Sequence, residues 1–381
     1  MAAIQQTLQA HAARIAWLRR EAGSDSPLPV GLWIPASAAG ELLADGAAEA
    51  FARWLTDHDL TPLTINGFPY DNFHLPVVKH RVYRPAWWQS SRLEYTAQLA
   101  ELLDRMLPAD GRVGSISTLP LGWPGDDGQD LSAAGANLRD LASRLQRLEA
   151  RRGRRVVVAI EPEPGCLLDR CEDVVAFFES ELPDANHRRY LGVCHDVCHS
   201  AVMFESQSAA LKTYARAGIE VGKIQISSAI DLPLADYSPA KRQSAIDELK
   251  RFAEDRYLHQ TGLLDAAGQF RLVEDLPQWL ATVDDPAAIT DRHLRIHFHV
   301  PVYREQLGHL RSTRDAISEC VTAMRGADAP AFTGHYEIET YAWTVLPDAI
   351  TAGALTPETL SDGIARELAW FESVLGSSGK N

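Results

Sequence analysis

"LGVCHDVCHSAV", residues 191–202, starts as an apolar run and breaks into two imidazoles, a carboxylate and two thiols. A short apolar run bounded by polar residues reads as a strand buried in a parallel sheet. Burying His195, Asp196 and His199 at its end is costly unless each finds a partner, so a bound ion or ligand is expected there.

The same pattern recurs on either side of this stretch. Strand-like runs at 30–38, 60–70, 113–123, 154–165, 190–202, 219–230, 292–303 and 334–343 are each followed by a segment of helical period. Parallel strands need such crossovers, and about eight of them closing on themselves make an α/β fold, the (β/α)8 or TIM barrel. An open doubly wound sheet is the alternative, but no G-x-G-x-x-G turn opens a helix. Residues 254–291 are too long for a connection and read as an insertion before the last strands, within a single domain of 1–381. The chain opens on a helix with Ile4, Leu8, Ile15 and Leu18 on one face. A first barrel strand is therefore expected upstream of Met1, and 292–303 would then belong to the insertion.

A hydrophobic content of 46% with 23% charged residues suits a soluble globular enzyme. The net charge of −14 repels phosphate backbones and anionic lipids, so the expected partner is a small molecule and not nucleic acid. Five cysteines without a secretory leader point to reduced thiols in a cytoplasm, and no run approaches the length of a membrane span.

In a barrel, chemistry gathers at the carboxyl ends of the strands. Those ends carry Asn66, Ser115 with Ser117, Glu161 with Glu163, Asp196 with His199, Gln225, His297 with His299, and Glu337 with Glu339. Hard oxygen and imidazole donors from separate strands suit a divalent metal, whether zinc, manganese or magnesium. Glu161 follows five apolar residues, so it binds a cation or pairs with an arginine at 151–155. Asp196 and His199, as D-x-x-H, face one centre, with a helix cap as the alternative for Asp196. His195 points the other way and reads as core. Period two puts His297 beside His299 and Glu337 beside Glu339. Of these, His299 and Glu339 are taken as metal ligands, with Gln225 adding an amide oxygen. Glu163, His297 and Glu337 are left to move protons.

Cys194, Cys198, Cys166 and Cys171 form no C-x-x-C pair and read as packed thiols. Phe68, Tyr70, Phe73, Tyr83, Trp87 and Trp88 crowd one βα loop, either as a lid packed on itself or as a substrate platform. On the second reading Asn66, Phe68, Tyr70 and Trp123 bind substrate, Lys79 or Arg81 adds a polar contact, and His74 and His80 are further candidates.

The order "AIEPEPG", "CHDVCHSAV", "IQISS", "IETYAW" resembles the xylose isomerase-like superfamily of barrels, which includes sugar epimerases and the endonuclease IV type of abasic-site nuclease. More narrowly, "TINGFPY", "SISTLPLGW", "EPEPGC", "HFHVPV" and "EIETYAW" resemble EboE-like metabolite traffic proteins, over about residues 30 to 375. The resemblance implies a shared metal at Glu161, Asp196, Gln225 and Glu339, with Gln225 standing where a histidine is usual. It also implies that His199 and His297 or His299 match positions holding additional zinc in the nuclease branch. The implied function is a metal-dependent isomerase or epimerase of a sugar, sugar phosphate or cyclitol in an Ebo-type secondary pathway. The alternatives are a metal-dependent phosphoesterase acting on a small molecule and a non-catalytic metabolite-binding barrel.

Overall fold

The computed structural model describes residues 2–21, 23, 26–71, 75–340, 343, 346 and 356–377. Six strands follow one another in space as in sequence: β1 (Leu28–Trp33), β2 (Leu60–Asn66), β3 (Val113–Thr118), β4 (Arg155–Ile160), β5 (Leu191–Asp196) and β6 (Val221–Ile226). All neighbours are parallel. The chain then builds a second, antiparallel sheet from β7 (Ile230–Leu232), β8 (Thr261–Leu264), β9 (Phe270–Val273), β10 (His293–Ile296), β11 (Gln306–Leu307) and β12 (Leu310–Ser312), in the order β11-β12-β7-β10-β8-β9. It returns as β13 (Tyr336–Ile338), parallel to β6. The result is an α/β barrel of the (β/α)8 type, with seven parallel strands among the described residues.

The strands form where both faces are covered. Val156, Val158 and Ile160 of β4 and Leu191 and Val193 of β5 are fully buried, joined by Ile65, Ile116 and Ile224 from neighbouring strands. Long helices between them are capped as their sequences allow. In Leu131–Arg152 the Asp130 carboxylate accepts the Ala133 amide at the start, and Gly153 at φ 72° ends it behind Arg151 and Arg152. The first helix, Ala2–Glu21, lies against Pro357–Ser377, held in part by Arg14–Asp362 at 2.8 Å.

The run 292–303 is not a barrel strand. Only His293–Ile296 is strand, and it runs antiparallel between β7 and β8. Its alternation explains this: Leu294 and Ile296 enter a second core with Leu263, Trp279 and Phe298, while His293 and Arg295 turn to Asp231 at 2.7 and 3.0 Å. A parallel barrel strand would be apolar on both faces. The added sheet also reaches beyond 254–291, from Ile230 to Ser312.

β1 and β13 end the parallel sheet and meet through side chains. A Cβ on Gly31 would overlap the Glu337 carboxylate, which is held by the buried Lys223 ammonium at 2.6 Å. Gly31→Ala is therefore expected to force Glu337 off Lys223 and to cost about 1–3 kcal/mol in a urea titration, as for a damaged buried polar contact. An unchanged midpoint would show that Glu337 can move without penalty.

Candidate metal centre

Three carboxylates at the carboxyl ends of the barrel strands converge, and Gln225 lies in register beside one of them, Asp196. Glu161 follows β4, Asp196 ends β5, Gln225 lies on β6 and Glu339 follows β13. Carboxylate oxygens of Glu161, Asp196 and Glu339 lie within 4.8 Å of one another. Asp196 divides its work. Oδ1 accepts the His199 amide and the Ser227 hydroxyl, each at 2.8 Å, and so caps the helix Val197–Val202. Oδ2 is buried without a hydrogen-bond partner, as are Glu161 Oε2 and both amide atoms of Gln225. The cap and the ligand readings of Asp196 are thus compatible. No arginine at 151–155 reaches Glu161 among the described contacts, and Arg155 instead holds Glu220 at 2.7 Å.

Buried carboxylates this close raise one another. Burial, followed by neighbouring charges including Asp196, pushes Glu161 up to about 7. Burial, then Glu161 and Asp196, lifts Glu339 well above the carboxylate range. Burial also pushes at Asp196, but His199, His299, the His199 amide and Ser227 outweigh it and hold Asp196 low. Orphaned buried oxygens facing a shared point fit a divalent cation, which removes the repulsion that raises these groups.

A second donor set adjoins the first. His199 Nδ1 lies 2.9 Å from the Pro162 carbonyl, His299 Nδ1 lies 2.8 Å from the Glu339 carbonyl, and His297 Nδ1 lies 2.7 Å from Gln260 Oε1. Gln260 Nε2 faces Tyr83 Oη and Glu163 Oε1 at 3.0 and 3.1 Å, which assigns its oxygen to His297. Each Nδ1 is thereby the donor, and each Nε2 presents its lone pair inward. Yet His297 Nε2 lies 3.1 Å from His199 Nε2 and 3.2 Å from His299 Nε2. Burial lowers His199, but Asp196, Glu163 and Glu161 together raise it, so a proton on His199 can bridge the first contact. Burial takes His297 well below its ordinary value and His299 to about 4, so the second contact sets lone pair against lone pair. Two imidazoles on one tetrahedral zinc at about 2.0–2.1 Å sit about 3.3 Å apart, so this spacing fits a metal. Nδ1 donation to carbonyls is also how metal-binding histidines are oriented. Asp196, His199 and His299 form a group of ligand distance, as do Glu163, His199 and His297, and Cys198, His297 and His299.

The remaining candidates divide. Glu163 is buried, accepts from Tyr83 Oη at 2.7 Å, and is raised by burial against the opposing effects of His199, Tyr83 and Gln260. Glu337 lines the same cavity but is committed to Lys223. His195 is core, with Nε2 at 2.7 Å from Gln207. The cavity has a volume of about 330 Å³. Asn66 and Phe68 line it, and Asn66 Nδ2 donates to Glu339 Oε1 at 2.9 Å. Tyr70 does not line it. It packs edge-on against Tyr95. Trp123 lies over Tyr83, one layer behind the wall. Of the aromatic loop, Trp87 is buried and bonds Thr118, so most of that loop serves as packing. Lys79 pairs with Asp275 at 2.6 Å and His80 with Glu274 at 3.3 Å, clasping the added sheet. Arg81 lines a neighbouring cavity. Phe73 and His74 lie outside the described residues.

Gln260, Lys223 and Ser227 escape a reading by motif. Gln260 sits inside the presumed insertion, and Lys223 looks like an ordinary polar residue two before Gln225. Cys198 packs as expected but also comes within ligand distance of His297 and His299. No described helix is long and apolar enough to cross a membrane.

No protein-family model matches the chain, and no curated protein matches it in sequence. Among solved structures it is similar to an L-ribulose 3-epimerase, at 14% identity and a TM-score of 0.47, covering 96% of this chain and 89% of that one. It is also similar to a xylose isomerase-like TIM-barrel protein from Mycobacterium smegmatis in complex with magnesium, at 13%, 0.46, and 96% and 90%. An IolI protein with a bound zinc atom matches at 13%, 0.44, and 96% and 94%.

Proposed function

We propose that this chain is a metal-dependent isomerase or epimerase of a small polyhydroxylated molecule, a sugar, sugar phosphate or cyclitol. The observation that carries this reading is Glu163: a buried carboxyl, raised above its ordinary range, in the wall of the cavity beside the metal donors. A divalent ion held by Glu161, Asp196, Gln225 and Glu339 would supply Lewis acidity toward vicinal oxygens. Glu163 takes and returns the proton, with Tyr83 Oη and Gln260 Nε2 holding its Oε1 in place. Asn66 orients Glu339, and the Pro162 and Glu339 carbonyls orient His199 and His299. The EboE-like motifs support a setting in cytoplasmic secondary metabolism, and the −14 charge supports a small molecule over nucleic acid.

The close approach of His199, His297 and His299 favours a second reading, a phosphoesterase with two or three ions. Elemental mass spectrometry on the purified, metal-reloaded chain separates them: about one ion per chain supports the isomerase, and two or three the phosphoesterase. Asp196→Asn keeps a helix-capping oxygen while removing the charge, so it should fold and lose most of the metal, as should Glu339→Ala. Wild-type metal content in both variants would remove this site from consideration.

A further inference from the structure

The cavity above the metal donors is lined by side chains of two unlike kinds. One kind is the cluster of carboxylates and imidazoles. The other is apolar, contributed by Trp33 at the end of β1, Phe68, Val78 and Val82 from the second βα loop, and Leu258 ahead of β8. Among the described lining residues Lys79 is the one Lys or Arg, and its ammonium is spent on Asp275 at 2.6 Å. The stretches 72–74 and 341–355, which flank lining residues in sequence, contain no Lys or Arg either. Lys223, beneath the site, is spent on Glu337. Among the described lining residues a phosphate group would therefore meet no lysine or arginine outside an ion pair.

Resting on the isomerase reading, we infer that the substrate is an uncharged amphiphile. Its head carries vicinal oxygens toward the carboxylate and histidine donors, and its hydrocarbon or aromatic tail, without phosphate, lies along Trp33, Phe68, Val82 and Leu258. Neither Trp33 nor Phe68 is needed for the metal. Their place in the same cavity as the donors is what a tail requires, since apolar surface gains affinity in proportion to the area it removes from water. The neutral polar side chains of the lining are Asn66, Tyr83, Tyr257 and Thr340, of which Asn66 donates to Glu339, Tyr83 to Glu163 and Thr340 to Glu367.

The test uses the full chain, as purified with its metal and after chelation, followed by tryptophan fluorescence. Three probes are titrated: methyl β-glucopyranoside, octyl β-glucopyranoside below its micelle concentration, and glucose 6-phosphate. The octyl glycoside is expected to bind at least about thirtyfold more tightly than the methyl glycoside, a modest share of what seven added methylenes could contribute. Glucose 6-phosphate should bind no better than the methyl glycoside. Val82→Asp, and separately Leu258→Lys, should cut the octyl preference to about threefold or less while metal content stays at the wild-type level. An octyl preference near one, no binding by either glycoside, tightest binding by the phosphate, or a preference untouched in both variants would overturn the inference. Absence of metal in the wild-type chain would instead defeat the isomerase reading, and the octyl preference measured on the chelated protein would still stand or fall by itself.

Discussion

Lys223→Met is expected to cost about 3–5 kcal/mol of folding stability in the metal-stripped protein, the range for removing one member of a buried ion pair. Lys223 is 0% exposed and its Nζ lies 2.6 Å from Glu337 Oε2, whose side chain is 17% exposed. Burial alone would pull the ammonium down, but Glu337, Cys194 and Glu161 together lift it above its ordinary value. It is thus a charged group held where only its neighbours' negative charge sustains it. Without it, Glu337 loses its counter-ion while Glu161, Asp196 and Glu339 crowd nearby. The double variant Lys223→Met/Glu337→Leu should recover much of the loss, because a buried pair replaced by apolar groups leaves no uncompensated charge. Urea denaturation of the four proteins of this cycle measures it. A loss in the double variant equal to the sum of the two single losses would mean that the Lys223–Glu337 contact carries no coupling.

The second large effect changes sign with the metal. Glu161 is pushed up to about 7, first by burial. Between the unfolded value near 4.5 and about 7 the folded chain binds more protons than the unfolded one, so this group subtracts stability as pH rises through that window. The penalty is complete above about 7 and vanishes toward acid. At pH 8, Glu161→Gln should therefore stabilise the metal-stripped protein by about 1–3 kcal/mol, and at pH 5 by little. With metal present the same substitution removes a ligand, and the metal-induced rise in Tm should shrink sharply, since a ligand stabilises only to the extent that it prefers the folded state. Thermal melts at both pH values, with and without zinc, give all four numbers. A loss of stability in the stripped protein at pH 8 would show that Glu161 serves packing and not a cation.

The histidine trio connects these effects to function. A cluster that is costly when stripped and favourable when loaded is expected of a binding site and not of a core. The same logic explains why Asp196 can be both helix cap and ligand. Its two oxygens face different partners, one the His199 amide and Ser227, the other the shared centre.

Much of this was legible in the residues. Runs such as "VVVAI" and "LGVC" are apolar at every position because a parallel strand is covered on both faces, and a carboxylate that ends such a run has few places to go. Glu161, Asp196, Gln225 and Glu339 could therefore be placed at one end of a barrel from local pattern alone. The run around "RIHFHV" alternates instead, as an antiparallel strand does, and its place in the added sheet agrees with the reading that assigns 292–303 to the insertion. Local pattern, then, is enough to specify the parallel barrel and the rim on which its acids and imidazoles stand. Which of them touch follows from how remote segments dock. Gln260 meets Tyr83 across 177 residues, Lys223 finds Glu337, and the loop after β10 turns His297 and His299 back over β5. Strand periodicity is a local consequence of burial, whereas these contacts depend on how an added sheet docks against the barrel, and no short window of chain records that.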